Sequence, residues 1–166
     1  MLANIEGRAW KFGDNIDTDV ICAGRYINSL PEEMAQHVLE SLRPEFASSV
    51  EKGDVILAGV WFGSGSSRET APTAIKALGI GAVVAESFAR NFYRNAIGVG
   101  LAAITCKGAS EAFKEGDRLC VSFADMTITD VTNGKKLPFE AFPEEMLQVI
   151  HAGGIENLLR QSHTRA

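Results

Sequence analysis

The sequence predicts an α/β domain with a parallel central sheet and additional antiparallel strands. Three observations predict it. Three short apolar runs alternate with helical segments between Asp54 and Thr105. Beyond Arg118 the apolar residues switch to a period of two. The chain has 166 residues, 46% of them hydrophobic and 22% charged, which is one domain's worth of material and enough to bury a core. Residues 1–166 are therefore expected to form a single domain, with a frayed tail at 162–166.

The elements follow in order. Ala9–Phe12 reads as a strand, and Gly13-Asp14-Asn15 as the turn that ends it. An acidic loop runs from Asp14 to Asp19. Ser29 and Glu32 have capping-box spacing, and Met34, Ala35, Val38, Leu39 and Leu42 recur at helical period behind them. That helix is expected to stop near Arg43-Pro44, because the residue before proline avoids the helical region. Asp54–Ala58 is a buried strand, and Gly59–Glu69 a glycine- and serine-rich loop. Pro72 is acceptable only in a first turn, so the next helix starts near Thr70 and stops at Gly79. Ala82–Ala85 is a second buried strand. Ser87 is positioned to cap a helix with Phe88, Phe92 and Ala96 on one face, ending at Gly98. Leu101–Thr105 is the third strand. Leu119, Val121 and Phe123 alternate, as do Met126 and Ile128, and Asn133-Gly134 is a hairpin turn signal. A last helix begins at Pro143.

Charge and cysteine usage exclude several classes. The net charge is −5, which argues against a nucleic-acid partner. The longest uncharged stretch, Ala96–Cys106, is too short to span a membrane, and Glu6 and Arg8 leave no signal-peptide pattern at the start. Cys22, Cys106 and Cys120 are odd in number and widely spaced. They form neither a disulfide framework nor a metal pair, so a reduced, cytoplasmic protein with no metal of its own is expected.

Gly63-Ser64-Gly65-Ser66-Ser67-Arg68-Glu69 is the main chemical candidate. It joins a strand to a helix at the carboxyl end of the predicted sheet, where α/β folds bind ligands. Glycines let backbone approach a ligand, loop N–H groups can face an anion, and arginine can hold a carboxylate by two parallel bonds. The loop has neither P-loop nor nucleophile-elbow spacing. It is suited to a small carboxylate or phosphate, the alternative being a plain turn in which Glu69 pairs with Arg68. Asp14–Asp19 lacks the glycine and glutamate of a calcium loop, which leaves turn-capping aspartates. Arg90 and Arg94 share a helical face and are expected to pair with carboxylates or cap backbone. Gly98–Ala103 has the letters of a dinucleotide fingerprint in the wrong context. His37, His151 and His163 have no ligand spacing and are expected at the surface.

Three segments, Gly13–Ile21, Gly63–Glu69 and Ala85–Asn95, occur in an order and at distances that resemble the small subunit of 3-isopropylmalate dehydratase. More broadly they resemble the swivelling domain of the aconitase superfamily. The resemblance runs from about residue 5 to about residue 155. It implies a three-layer β/β/α fold and a large-subunit partner, in a heterodimer or heterotetramer, that carries a [4Fe–4S] cluster. It also implies a hydro-lyase that moves a hydroxyl between adjacent carbons of a di- or tricarboxylic acid, here in leucine biosynthesis. Ser66 matches the family's base, and Gly65, Ser67 and Arg68 match substrate-contacting positions. Asp19 matches an acidic residue at the active-site edge. No role is carried over to Asp17, Arg90 or Arg94. The chemistry asks for donors already in place to meet a doubly charged aci-carboxylate, with the cluster iron as Lewis acid. Ser64 stands where cysteine is frequent. Tyr26-Ile27-Asn28 stands where a Tyr-Leu-Arg stretch selects substrate, and the missing arginine leaves homoaconitase and alkyl-malate (dimethylmalate- or citramalate-type) hydratases as alternatives. A carboxylate-binding module without a catalytic partner is the alternative from another class.

Overall fold

A strand that pairs in two directions organises the molecule. The computed structural model describes residues 2–164. Its strands are β1 (Ile5–Lys11), β2 (Val55–Ala58), β3 (Ala82–Ala85), β4 (Ala102–Thr105), β5 (Arg118–Ser122), β6 (Thr127–Asp130) and β7 (Lys136–Pro138). They form one sheet in the order β4-β3-β2-β1-β5-β6-β7. Ala9–Lys11 of β1 pairs in parallel with β2, while Ile5–Arg8 pairs antiparallel with β5. The expected parallel centre and antiparallel extension are both present. Every residue of β2 and β3 is buried, as parallel strands covered on both faces require.

Helices α1 (Thr18–Ile21), α2 (Pro31–Ala35), α3 (Phe46–Ser49), α4 (Thr70–Leu78), α5 (Arg90–Gly98), α6 (Ala109–Ala112), α7 (Glu144–Ala152) and α8 (Ile155–Thr164) complete the chain. α4 buries Ala71, Ala74 and Ile75, and α5 buries Phe92, Ala96 and Ile97. Gly79 ends α4 at φ 99°, where a side chain would be strained.

Four local expectations need correction. The predicted helix behind Ser29 stops at Ala35, because Leu39 takes φ 57° and donates its N–H to Ile21 O at 3.0 Å. Val38 and Leu39 are buried all the same, so tertiary packing overrides the helical period. The capping box does not form. Pro31 is the first helical residue, which makes the extended Leu30 the cap and leaves Ser29 one place too early. Ser87 does not cap α5 either: the cap is Ala89, and Ser87 Oγ accepts the Trp61 N–H at 2.8 Å. Finally, of the tail expected to fray at 162–166, residues 162–164 are helical, with Ser162 and Thr164 hydroxyls donating to carbonyls four residues back. The rest of that tail lies outside the described residues.

Candidate active site

Because β1 and β2 are parallel neighbours, the loops that follow them leave the sheet at the same edge. Backbone bonds join the two loops beyond the strands: Asn15 N–H to Val60 O (2.9 Å), Gly63 N–H to Ile16 O (2.7 Å) and Thr18 N–H to Ser64 O (2.8 Å). Two aspartates of the acidic turn fix backbone, as expected. Asp14 Oδ1 accepts the Val60 N–H, and Asp17 Oδ1 caps α1 by accepting the Val20 N–H, each at 2.8 Å. The segment after β3 joins the same edge, since Ala89 N–H donates to Phe62 O at 2.9 Å and Asn95 Nδ2 donates to Ser67 O at 2.8 Å. The three segments singled out in the sequence thus meet in space.

At their meeting point stands Ser66. Arg68 Nε donates to Ser66 Oγ at 2.8 Å, and Thr18 Oγ1 lies 3.2 Å from the same oxygen. With Nε committed, the grip on a carboxylate falls to the two terminal nitrogens of Arg68. The alternative reading of this loop, a turn in which Glu69 pairs with Arg68, finds no such ion pair among the described residues. Gly65, Ser66 and Ser67 are exposed. Among the described residues, the backbone N–H groups of Gly65, Ser66, Ser67 and Arg68 have no intramolecular acceptor, so they are uncommitted. Two positions of the loop are suited to glycine. At Gly63 a Cβ would come within 2.2 Å of the Phe92 ring, and at Gly65, where φ is 98°, it would press on Thr18 Oγ1 at 3.3 Å.

Asp19 is exposed, and its Oδ1 accepts the Gly24 N–H at 3.0 Å. A Cβ at Gly24 would lie 3.6 Å from that oxygen and 3.7 Å from Arg68 Nη1, so Asp19, Arg68 and the start of the next loop are close together. Beyond Gly24 the predicted substrate-contacting residues diverge. Tyr26 stacks on His37 with ring centroids 4.0 Å apart and donates its hydroxyl to Glu40 at 3.0 Å. Ile27 and Asn28 are exposed. Glu40 also accepts from Arg25 and His37, each at 2.7 Å, and these bonds, that of His37 above all, hold its carboxyl below the usual range. His37 is therefore half-buried in a network, which corrects the expectation of a plain surface residue. Arg90 and Arg94 are exposed and make no ion pair among the described residues, which corrects the expected carboxylate pairing.

Thr18 and the Glu40 network were missed in the sequence. Only the adjacency of two parallel strands points to Thr18. Cys22, buried near Arg68, has its thiol pushed up by burial, with the guanidinium acting in the opposite direction. Burial, aided by Glu86, drives Cys106 up to about 11. Among the described residues, no group of three or more His, Cys, Asp or Glu could hold a metal ion, and no helix is long and apolar enough to cross a membrane.

Residues 26–109 match the Aconitase C-terminal domain family. A 3-isopropylmalate dehydratase small subunit from Methanopyrus kandleri is 47% identical over 163 residues, covering 98% of this chain and 96% of that protein. The chain belongs to the family of 3-isopropylmalate dehydratase small subunits. A crystal structure of 3-isopropylmalate dehydratase from Methanocaldococcus jannaschii superimposes with a TM-score of 0.92 at 41% identity, covering 98% of this chain and 96% of that one. The fold is thereby shared, and its layered α/β character stands as expected. A methanogen homoaconitase small subunit from Methanothermobacter thermautotrophicus is also 47% identical, over 92% of this chain and 89% of that protein. Relatives named for two substrates are equally similar overall, so overall identity does not separate them.

Proposed function

We propose that this chain is the small subunit of a hydro-lyase acting on 3-isopropylmalate, and that Ser66 is its base. The observation that carries the reading is Ser66 Oγ at 2.8 Å from Arg68 Nε, in an exposed loop with four uncommitted N–H groups. Serine is a poor base unless its deprotonated oxygen is stabilised, and a fixed guanidinium donor does that. The substrate carboxylate lies against the terminal nitrogens of Arg68 and the loop N–H groups. Ser66 Oγ takes the proton from the carbon beside it, and the charge left on the carboxylate meets donors already in position. Asp19, anchored through one oxygen by Gly24, presents the other to a group of the partner chain.

The cluster implied by the family does not fit this chain's donors. Among the described residues no three His, Cys, Asp or Glu, Cys120 included, come together to hold a metal, and Cys22 and Cys106 are buried, the thiol of each pushed up by burial. The large subunit is the place for it, and that subunit supplies the remaining walls of a site whose serine lies open.

Isopropylmalate is favoured over a substrate with a third, distant carboxylate by the Arg25–Ser29 loop. Asn28 is neutral, and the loop's one cation, Arg25, is paired to Glu40 at 2.7 Å. A compact alkyl group needs no cation there.

The test is co-expression with candidate large subunits and assay against a panel of 2-hydroxy diacids. In the active complex, Ser66→Ala should lower kcat by at least about 10²-fold with a small change in KM. Arg68→Lys should damage both, since an ammonium lacks the planar fork and the Nε donor. Near-normal turnover of Ser66→Ala removes serine from the base role.

A further inference from the structure

No role assigned so far uses Thr18, the residue behind Ser66. It is 4% exposed, and the one hydrogen-bond partner of its hydroxyl among the described residues is Ser66 Oγ, at 3.2 Å. Its backbone is fixed on both sides. The N–H donates to Ser64 O at 2.8 Å, and the carbonyl accepts from Cys22 N–H at 2.9 Å. Gly65, without a Cβ, lets the serine loop descend far enough for the two hydroxyls to meet.

The polarity of the three groups is constrained. A guanidinium only donates, so Arg68 Nε occupies one lone pair of Ser66 Oγ in either protonation state. A hydroxyl donates or accepts. When Ser66 holds its proton, it can give it to Thr18 Oγ1. When Ser66 has lost it, the contact survives only if the Thr18 O–H turns toward Ser66. Loss and gain of one proton at Ser66 thus reverse the direction of one hydrogen bond without moving a heavy atom.

We propose that Thr18 is a positioning residue for the reaction, the second donor to deprotonated Ser66 beside Arg68. This rests on Ser66 being the base. The Ser66 proton first leaves to solvent water, which reaches the exposed loop. The oxygen then takes the proton of the substrate carbon, and the C–H electron pair stays on that carbon, shared with the neighbouring carboxylate. As Ser66 becomes a hydroxyl again, the Thr18 hydroxyl returns to accepting. The reverse half-reaction hands the proton back to carbon or releases it to water.

The experiment uses the assembled two-subunit enzyme. Thr18→Val keeps the shape and removes the hydroxyl, while Thr18→Ser keeps the hydroxyl. The expected result for Thr18→Val is a kcat lower by about 10²-fold, the usual effect of deleting one donor at a developing anion, with KM within about twofold. Its deficit should shrink as pH rises, because a lost donor raises the pH at which Ser66 gives up its proton. Thr18→Ser should recover most of the rate. Equal damage from both variants, or a flat deficit across pH, overturns the proposal in favour of packing. Wild-type turnover by Thr18→Val beside an inactive Ser66→Ala overturns it while leaving the base in place. An active Ser66→Ala removes the base reading and this proposal with it. Should Thr18→Val fail to assemble, Thr18→Ala is read by the same criteria.

Discussion

Asp54 is a carboxylate sealed at the start of β2, 3% exposed. It accepts from Trp10 Nε1 at 2.9 Å and from the N–H groups of Arg8 and Glu51 at 3.0 Å, with the Arg8 guanidinium 3.5 Å away. Burial alone would push its carboxyl up. The Trp10 and backbone donors, together with Arg8, outweigh that and hold it below its ordinary value of 3.8. A depressed folded-state value stabilises the fold above pH 3.8, and that contribution is lost as pH falls through 3.8 toward the folded value. Acid titration followed by circular dichroism should therefore lose less stability below that pH in Asp54→Asn than in the parent. At neutral pH Asp54→Asn should itself cost about 1–3 kcal/mol, by facing an amide donor to other donors. None of this is visible in the sequence. Trp10 lies 44 positions before Asp54, and the local run Asp54–Ala58 reads only as an apolar strand. Ser66 and Arg68 could be singled out as candidates for the opposite reason: they lie within seven consecutive residues, Gly63–Glu69.

The Arg25–Ser29 loop is the element on which we propose that selectivity turns, and a single carboxylate anchors it. Glu40 holds Arg25, Tyr26 and His37 together, and the Arg25 guanidinium lies 4.9 Å from the Tyr26 ring. Asp19, Arg25, His37 and Glu40 line one concavity, so the clamp and the active-site edge are continuous. Glu40→Gln weakens the three bonds to this carboxylate and should loosen the loop, raising KM about 3–10-fold with kcat nearly unchanged, as expected when only ground-state binding is lost. Asn28→Arg should raise kcat/KM for substrates with an extra carboxylate relative to alkyl ones, a ratio read by competing the two in one assay. If neither variant moves its parameter, this loop does not select substrate. The clamp escaped the sequence reading because Leu39 leaves helical geometry. The spacing of Tyr26, His37 and Glu40 then fits no regular period. The apolar face of Met34, Val38 and Leu39 was legible, since burial demands it whatever the backbone does.

At the scale of the molecule, the reaction needs more protein than this chain supplies. The serine loop is exposed, and among the described residues no cluster ligands come together. Purified alone and treated anaerobically with iron and sulfide, the chain should remain colourless and inactive, with activity appearing only on adding the large subunit. A brown chromophore in stoichiometric amount on this chain would refute that. The strand–helix alternation and the Asn133-Gly134 turn made the overall sheet legible. Helix α8 was not read, although Ile155, Leu158 and Leu159 recur at helical spacing, and it buries no residue. The two-way pairing of β1 has a consequence for how the protein is made. Synthesis runs from the N-terminus, and the partners of Ala9–Lys11 are finished by residue 58, whereas Ile5 waits for Val121. The parallel half can assemble while the ribosome is still translating. The exposed flank of the first strand then serves as a template for β5, on which β6 and β7 follow, so the oldest segment of the chain is half-finished until its last third is made.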